Sequence, residues 1–99
     1  MNFEEYDNKL KELSREFEEK KKQLYRDFAY SNNPYKEGDI FTDHIGSILI
    51  KKIGVYVSFD LPECVYTGLE LKKDGTPTKK GNIRQAYQSN DIKKQKLQV

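Results

Sequence analysis

The chain has 99 residues, which is room for one small domain and not for two, so a multidomain enzyme is excluded. Apolar residues (35%) barely outnumber charged ones (34%), so the core must be thin, yet seven Tyr and five Phe are too many for disorder throughout. A net charge of +2 is also too small for basicity spread over the whole sequence, as nonspecific nucleic-acid binding would need.

Distribution says more than the sum. Residues 1–30 hold seven basic and eight acidic side chains, whereas residues 72–96 hold eight basic and two acidic, so the only basic region is C-terminal. The single cysteine, Cys64, cannot close an intramolecular disulfide and points to a reducing compartment. Met1-Asn2-Phe3-Glu4-Glu5 carries no apolar leader, and no run approaches the ~18 apolar residues of a membrane span, so a cytoplasmic protein is expected.

From Asn2 to about Tyr30, apolar residues fall at Phe3, Tyr6, Leu10, Leu13, Phe17, Leu24 and Phe28. The spacing is a heptad seam interrupted once, at Lys20, and neither Gly nor Pro occurs before Pro34. Asn2 with Glu5 three residues on resembles a capping box, and Glu5/Lys9, Asp7/Lys11, Glu16/Lys20 and Glu18/Lys22 are supportive i,i+4 pairs. Ser31-Asn32-Asn33-Pro34 ends the helix, because the residue before a proline is pushed out of the helical region.

Residues 37–92 read as strands and turns after a linker at 31–36. Ile40 and Phe41 follow Gly38-Asp39, and Asp43-His44-Ile45-Gly46 reads as a turn. Ile48 and Ile50 alternate in one phase, and Ile53, Val55, Val57 and Phe59 in the other. A one-residue slip moves every side chain to the opposite face, so a bulge is expected at Lys51-Lys52 to keep both halves on one core. Leu61-Pro62-Glu63 is expected to break that run, and Val65, Thr67, Leu69 and Leu71 alternate with Tyr66, Gly68 and Glu70 in a third strand. Asp74-Gly75 is a turn signal, extended by Thr76-Pro77 and Gly81; Ile83 to Gln88 is a last strand, and 93–99 a basic tail.

Four or five short antiparallel strands in about 55 residues are too few for a sandwich. The expected class is α+β: a long N-terminal amphipathic, coiled-coil helix followed by a small barrel. The order of strands and turns over residues 35–92 resembles an SH3-like barrel, a fold that serves peptides, RNA and protein surfaces alike. Asn33-Pro34-Tyr35-Lys36-Glu37-Gly38-Asp39-Ile40 and Val65-Tyr66-Thr67-Gly68-Leu69-Glu70-Leu71-Lys72-Lys73-Asp74-Gly75, behind a Glu- and Lys-rich helix, resemble stretches of small uncharacterised phage and mobile-element proteins. The resemblance implies a genomic context and no activity.

The helix is a rod of roughly 42 Å at about 1.5 Å per residue, whereas a six-residue strand spans about 20 Å, so the barrel cannot cover the whole seam. A second copy or a partner protein would bury it, docking on its own barrel would hide part of it, and a solvated single helix would leave it bare. Self-association, as a dimer, is the expectation. Tyr35, Tyr56 and Tyr66 are the candidates for an aromatic, partner-binding groove. Lys72, Lys73, Lys79, Lys80 and Arg84 could contact phosphates in the alternative, nucleic-acid-binding reading, although lysines on a hairpin also keep edge strands from pairing. Cys64 and His44 are the only nucleophile and soft-ligand candidates, and no motif joins them to a base or to four metal ligands. No catalytic residue, metal or cofactor is therefore expected, and the sequence reads as a non-catalytic homo-oligomeric adaptor or inhibitor that binds a host protein.

Overall fold

The computed structural model describes residues 1–92; the basic tail expected at 93–99 lies outside them. One helix, α1 (Phe3–Ser31), precedes four strands, β1 (Ile40–Thr42), β2 (Ser47–Ser58), β3 (Leu61–Leu71) and β4 (Ile83–Tyr87), and a short 3₁₀ turn (Gln88–Asn90). The strands form one antiparallel meander in the order β1-β2-β3-β4, curled into a half-barrel whose edges are β1 and β4. The α+β class is therefore shown.

The helix begins where the capping signal places it. The Glu5 amide donates to Asn2 Oδ1 at 2.8 Å, satisfying one of the free donors of the first turn. Asp7 and Lys11 close an ion pair at 2.9 Å one turn later. At the other end the Ser31 hydroxyl and Asn32 Nδ2 both donate to the Phe28 carbonyl, at 2.8 and 2.9 Å, drawing off an acceptor that the next turn would have used.

The bulge lies where the hydrophobic phase flips. Ile50 faces Gly68 and Lys52 faces Thr67, so Lys51 is the extra residue. Because of it Ile48 and Ile50 before the bulge and Ile53 and Val55 after it all pack on one core with Phe41, Cys64, Tyr66 and Ala86. The bulge also explains Gly68: a Cβ there would stand 2.1 Å from the Leu49 carbonyl oxygen, so only glycine permits this approach of the two backbones.

One expectation for β3 is corrected. The chain reverses at Phe59-Asp60, not at Leu61-Pro62-Glu63, which are already strand. Pro62 is tolerated because β4 pairs with β3 only between Val65 and Leu69, leaving that margin of β3 without a ladder for the missing N–H. The core side of β3 is Pro62, Cys64, Tyr66 and Gly68, whereas Val65, Thr67 and Leu69 lie on the outer side, only partly covered. Burying a large aromatic and a thiol against the helix outweighs burying the β-branched and aliphatic alternates, which find neighbours across strands instead.

The last helical turn belongs to this core. Ala29 is buried against Cys64, whose thiol donates to the Ala29 carbonyl at 3.4 Å. Just beyond, Asn33 Oδ1 accepts both the Tyr35 amide (3.0 Å) and the Tyr66 hydroxyl (2.6 Å), so the segment read as a linker is pinned into the fold. Gln88 continues the tie, donating to the Asn32 carbonyl at 2.7 Å and accepting the Cys64 amide at 3.1 Å. The rest of the helix projects from the sheet, giving overall dimensions of 68 × 35 × 18 Å.

Candidate functional site

The helix meets the sheet along a single narrow face. Among residues 3–28 only Asp7, Lys21 and Tyr25 are partly covered, and only the last two of these lie near the β2–β3 turn. Tyr25 donates to Asp60 at 2.5 Å, and Lys21 lies 3.7 Å from the same carboxylate and 5.8 Å above the Tyr25 ring. Hydrogen bonding from Tyr25 and the charge of Lys21 hold the Asp60 carboxyl below its ordinary value.

The seam lies on the neighbouring face, roughly a quarter-turn away at about 100° per residue. Phe3, Tyr6, Leu10, Leu13, Phe17, Leu24 and Phe28 are all exposed, retaining between 47% and 78% of their accessible surface. At its C-terminal end the seam runs into a groove of about 290 Å³, walled by Leu24 and Phe28 on the helix and by Leu61 and Pro62 on β3, with Tyr25 and Asp60 between them. The helix and the β2–β3 hairpin thus share one continuous apolar surface.

The turn at the rim of this groove was not legible in the sequence. Phe59 and Asp60 have φ of 51° and 60°, the paired positive values that a two-residue type I′ hairpin requires. Asn-Gly or Asp-Gly would be the expected signal; a bulky aromatic in the left-handed region is strained. Phe59 is also fully exposed, so its position is not explained by packing within the chain.

The tyrosines separate into two environments. Tyr66 is wholly buried and Tyr35 lies beside it, their rings 5.5 Å apart edge to face and both against Phe41, so they build the core and form no open groove. Burial pushes the Tyr35 hydroxyl up to about 12, with the Asp91 carboxylate that accepts its proton at 2.6 Å adding to the shift; burial likewise raises Tyr66. Tyr56 alone of the three candidates is exposed, and it packs against Tyr87 with ring centroids 5.1 Å apart. Register places both on the outer face of the sheet.

That outer face carries a second feature absent from the sequence reading. Ile40 pairs with Leu49, Leu49 with Leu69, and Leu69 with Ile83, so four aliphatic side chains make one row across all four strands. Its two ends, Ile40 and Ile83, are more than half exposed. The signal was present as the second phase of alternation, but the register that aligns the four residues depends on the bulge.

Lys72, Lys73, Lys79 and Lys80 are exposed on the loop between β3 and β4, whereas Arg84 is not available with them. It reaches from β4 across the inner face to the β1–β2 turn, donating to both Asp43 oxygens at 2.8 and 3.2 Å and to the Gly46 carbonyl at 3.2 Å. Burial would raise the Asp43 carboxyl, but Arg84 together with the Ile45 and Gly46 amides outweighs it and holds the group below its ordinary value. The pair ties the two edges of the half-barrel. Cys64 is buried with its thiol raised by burial and then by Glu63, and His44 is exposed on the β1–β2 turn.

Comparison with known proteins adds no name: no family model, curated protein or solved structure matches the chain. Among the described residues no helix is long and apolar enough to cross a membrane.

Proposed function

We propose that the chain is a non-catalytic protein-interaction module in which the helix seam joins two copies, as a coiled coil, and the curled sheet, used as a small SH3-like barrel, presents its outer face to a protein target. The observation that carries this reading is the bare seam: seven large apolar side chains in one line, while the core of the sheet is closed by Ala29 without them. Exposed apolar rows of this extent mark association surfaces. Two copies also raise the apparent affinity for a repeated target by proximity alone. Tyr56, Tyr87 and the Ile40–Leu49–Leu69–Ile83 row are the target-facing residues, and the resemblance to phage and mobile-element proteins makes a host protein in the cytoplasm the target class. Light scattering at tens of micromolar is expected to give twice the chain mass, and Leu13→Asp with Phe17→Asp to return it to one chain; a single-chain mass for the unaltered protein overturns the reading.

The competing reading, nucleic-acid binding, is favoured by the four exposed lysines of the 72–80 loop. A mobility-shift titration near 50 mM salt decides it: binding that is lost with Lys79→Glu and Lys80→Glu supports it, and no shift removes it.

A further inference from the structure

The seam has unlike ends. Its N-terminal end is a pair of projecting aromatics, Phe3 and Tyr6, with ring centroids 6.4 Å apart. Its C-terminal end is the groove formed by Leu24, Phe28, Leu61 and Pro62. Some 21 residues of straight helix, roughly 32 Å, separate the two, so the aromatics of one chain cannot reach its own groove. A second copy running in the opposite direction brings them together twice.

Charge favours the same direction. Residues 3–16 carry five acidic and three basic side chains, and residues 17–31 three acidic and four basic, so an antiparallel pair sets each half against one of opposite balance. It also opposes the two helix dipoles instead of aligning them. In a parallel pair Lys20 would meet the Lys20 of its copy on the seam line. With residue n placed opposite residue 30 − n, Lys20 instead lies along Leu10 of the other copy, its stem on an apolar neighbour and its ammonium free to reach water. The same alignment sets Leu13 against Phe17 at the two-fold axis, and Tyr6 against Leu24, with Phe3 next to Phe28.

The area is sufficient. Large side chains offer about 150 to 250 Å² each when bare, and seven of them roughly half exposed give on the order of 700 Å² per copy, close to the ~800 Å² per partner of a standard stable interface before Phe59 and Leu61 are added.

We infer that two copies pair through antiparallel helices, with Phe3 and Tyr6 of each seated in the groove between Leu24, Phe28, Leu61 and Pro62 of the other. This rests on the self-association proposed above and specifies its direction and register. Spin labels on the full chain, with Cys64→Ala to remove the native thiol, distinguish the two claims. Ser14→Cys should give a short inter-label distance, about 20 Å or less, and Glu5→Cys a long one, about 30 Å or more, since its copies stand 20 residues apart along the axis. Short distances at both sites overturn the antiparallel direction while self-association stands; a single-chain mass with no inter-label signal overturns both. For the groove, Phe3→Ala with Tyr6→Ala should raise the dimer Kd at least tenfold without loss of helical circular dichroism. Leu61→Ser, an exposed position, should do the same, and all three together should add little to the larger effect because they remove one contact. An unchanged Kd for Leu61→Ser overturns the groove as the seat.

Discussion

The inner face of the sheet and the seam of the helix are both rows of large apolar side chains, but only the first is closed within the chain. On the inner face a bulge brings two phases of β2 to one side, Ala29 caps the centre, and the buried polar atoms of Tyr66 and Asp43 have partners at 2.6 to 3.2 Å. Along the seam none of the described residues covers the apolar side chains from Phe3 to Phe17. The difference is one of docking, not of length: β2 and β3 run twelve and eleven residues, roughly 36 to 40 Å, yet the helix meets the sheet only at its C-terminal turns, through Lys21, Tyr25 and Ala29, and the rest of its rod projects beyond. Folding and the association proposed above therefore draw on different residues, and substitutions should separate them.

The largest break is expected at Gly68. A methyl group there meets the Leu49 carbonyl oxygen and carbon at 2.1 and 2.7 Å, both main-chain atoms of the central strand pair, so the bulge itself must shift. Gly68→Ala should cost about 3 kcal/mol or more, read as a fall in the urea midpoint, and much of a small domain's stability would go with it.

Somewhat smaller is the loss from opening the edge tie. Arg84→Met leaves the Asp43 carboxylate buried with only the Ile45 and Gly46 amides as donors, at a cost of about 2 to 3 kcal/mol at neutral pH. The pH dependence follows from the sign of the shift. The folded carboxyl lies below its ordinary value, so its contribution is complete above about pH 4, the range in which an unfolded Asp is ionised, and disappears as pH falls through the lower folded value. Denaturation series between pH 6 and 2.5 should show a steeper acid loss for the unaltered chain than for the variant, in which burial is no longer offset by Arg84. Tyr66→Phe should cost less again, about 1 kcal/mol, since Asn33 Oδ1 keeps the Tyr35 amide after the hydroxyl is gone.

What was legible in the sequence follows the same division. The helix, its cap and its seam are local signals of period and composition, and the bulge showed as a phase flip at Lys51-Lys52. The Phe59-Asp60 turn was hidden because only Asp60 carries turn chemistry and no glycine accompanies it, while the twist of two long paired strands imposes the conformation on Phe59. Choosing the buried phase of β3 needs the helix in place, since Cys64 and Tyr66 are core only because Ala29 and Asn33 meet them. Arg84 read as a basic-loop residue because its partner Asp43 is 41 positions away. Of the surface candidates the seam and Tyr56 are exposed, while Tyr66 is buried and Tyr35 packs against it, because a small core has few other aromatics to fill it.

The smallest expected effect tests the separation most directly. Leu13→Asp with Phe17→Asp alters the centre of the seam, where only Phe17, four residues before Lys21, neighbours a residue tied to the sheet. At concentrations where both forms are single chains, the urea midpoint of the sheet should move by no more than about 0.5 kcal/mol equivalent, the range of substitutions on free surface. Cys64 supplies a second measure: its thiol lies under Ala29, so alkylation in native buffer requires the last helical turn to lift, and the rate should be the same in the variant and the unaltered chain. A faster rate would mean that the projecting helix helps to hold its own docked end, and that seam and core are one cooperative unit. An equal rate, in a variant whose mass has fallen to one chain, would place association in the seam and folding in the sheet.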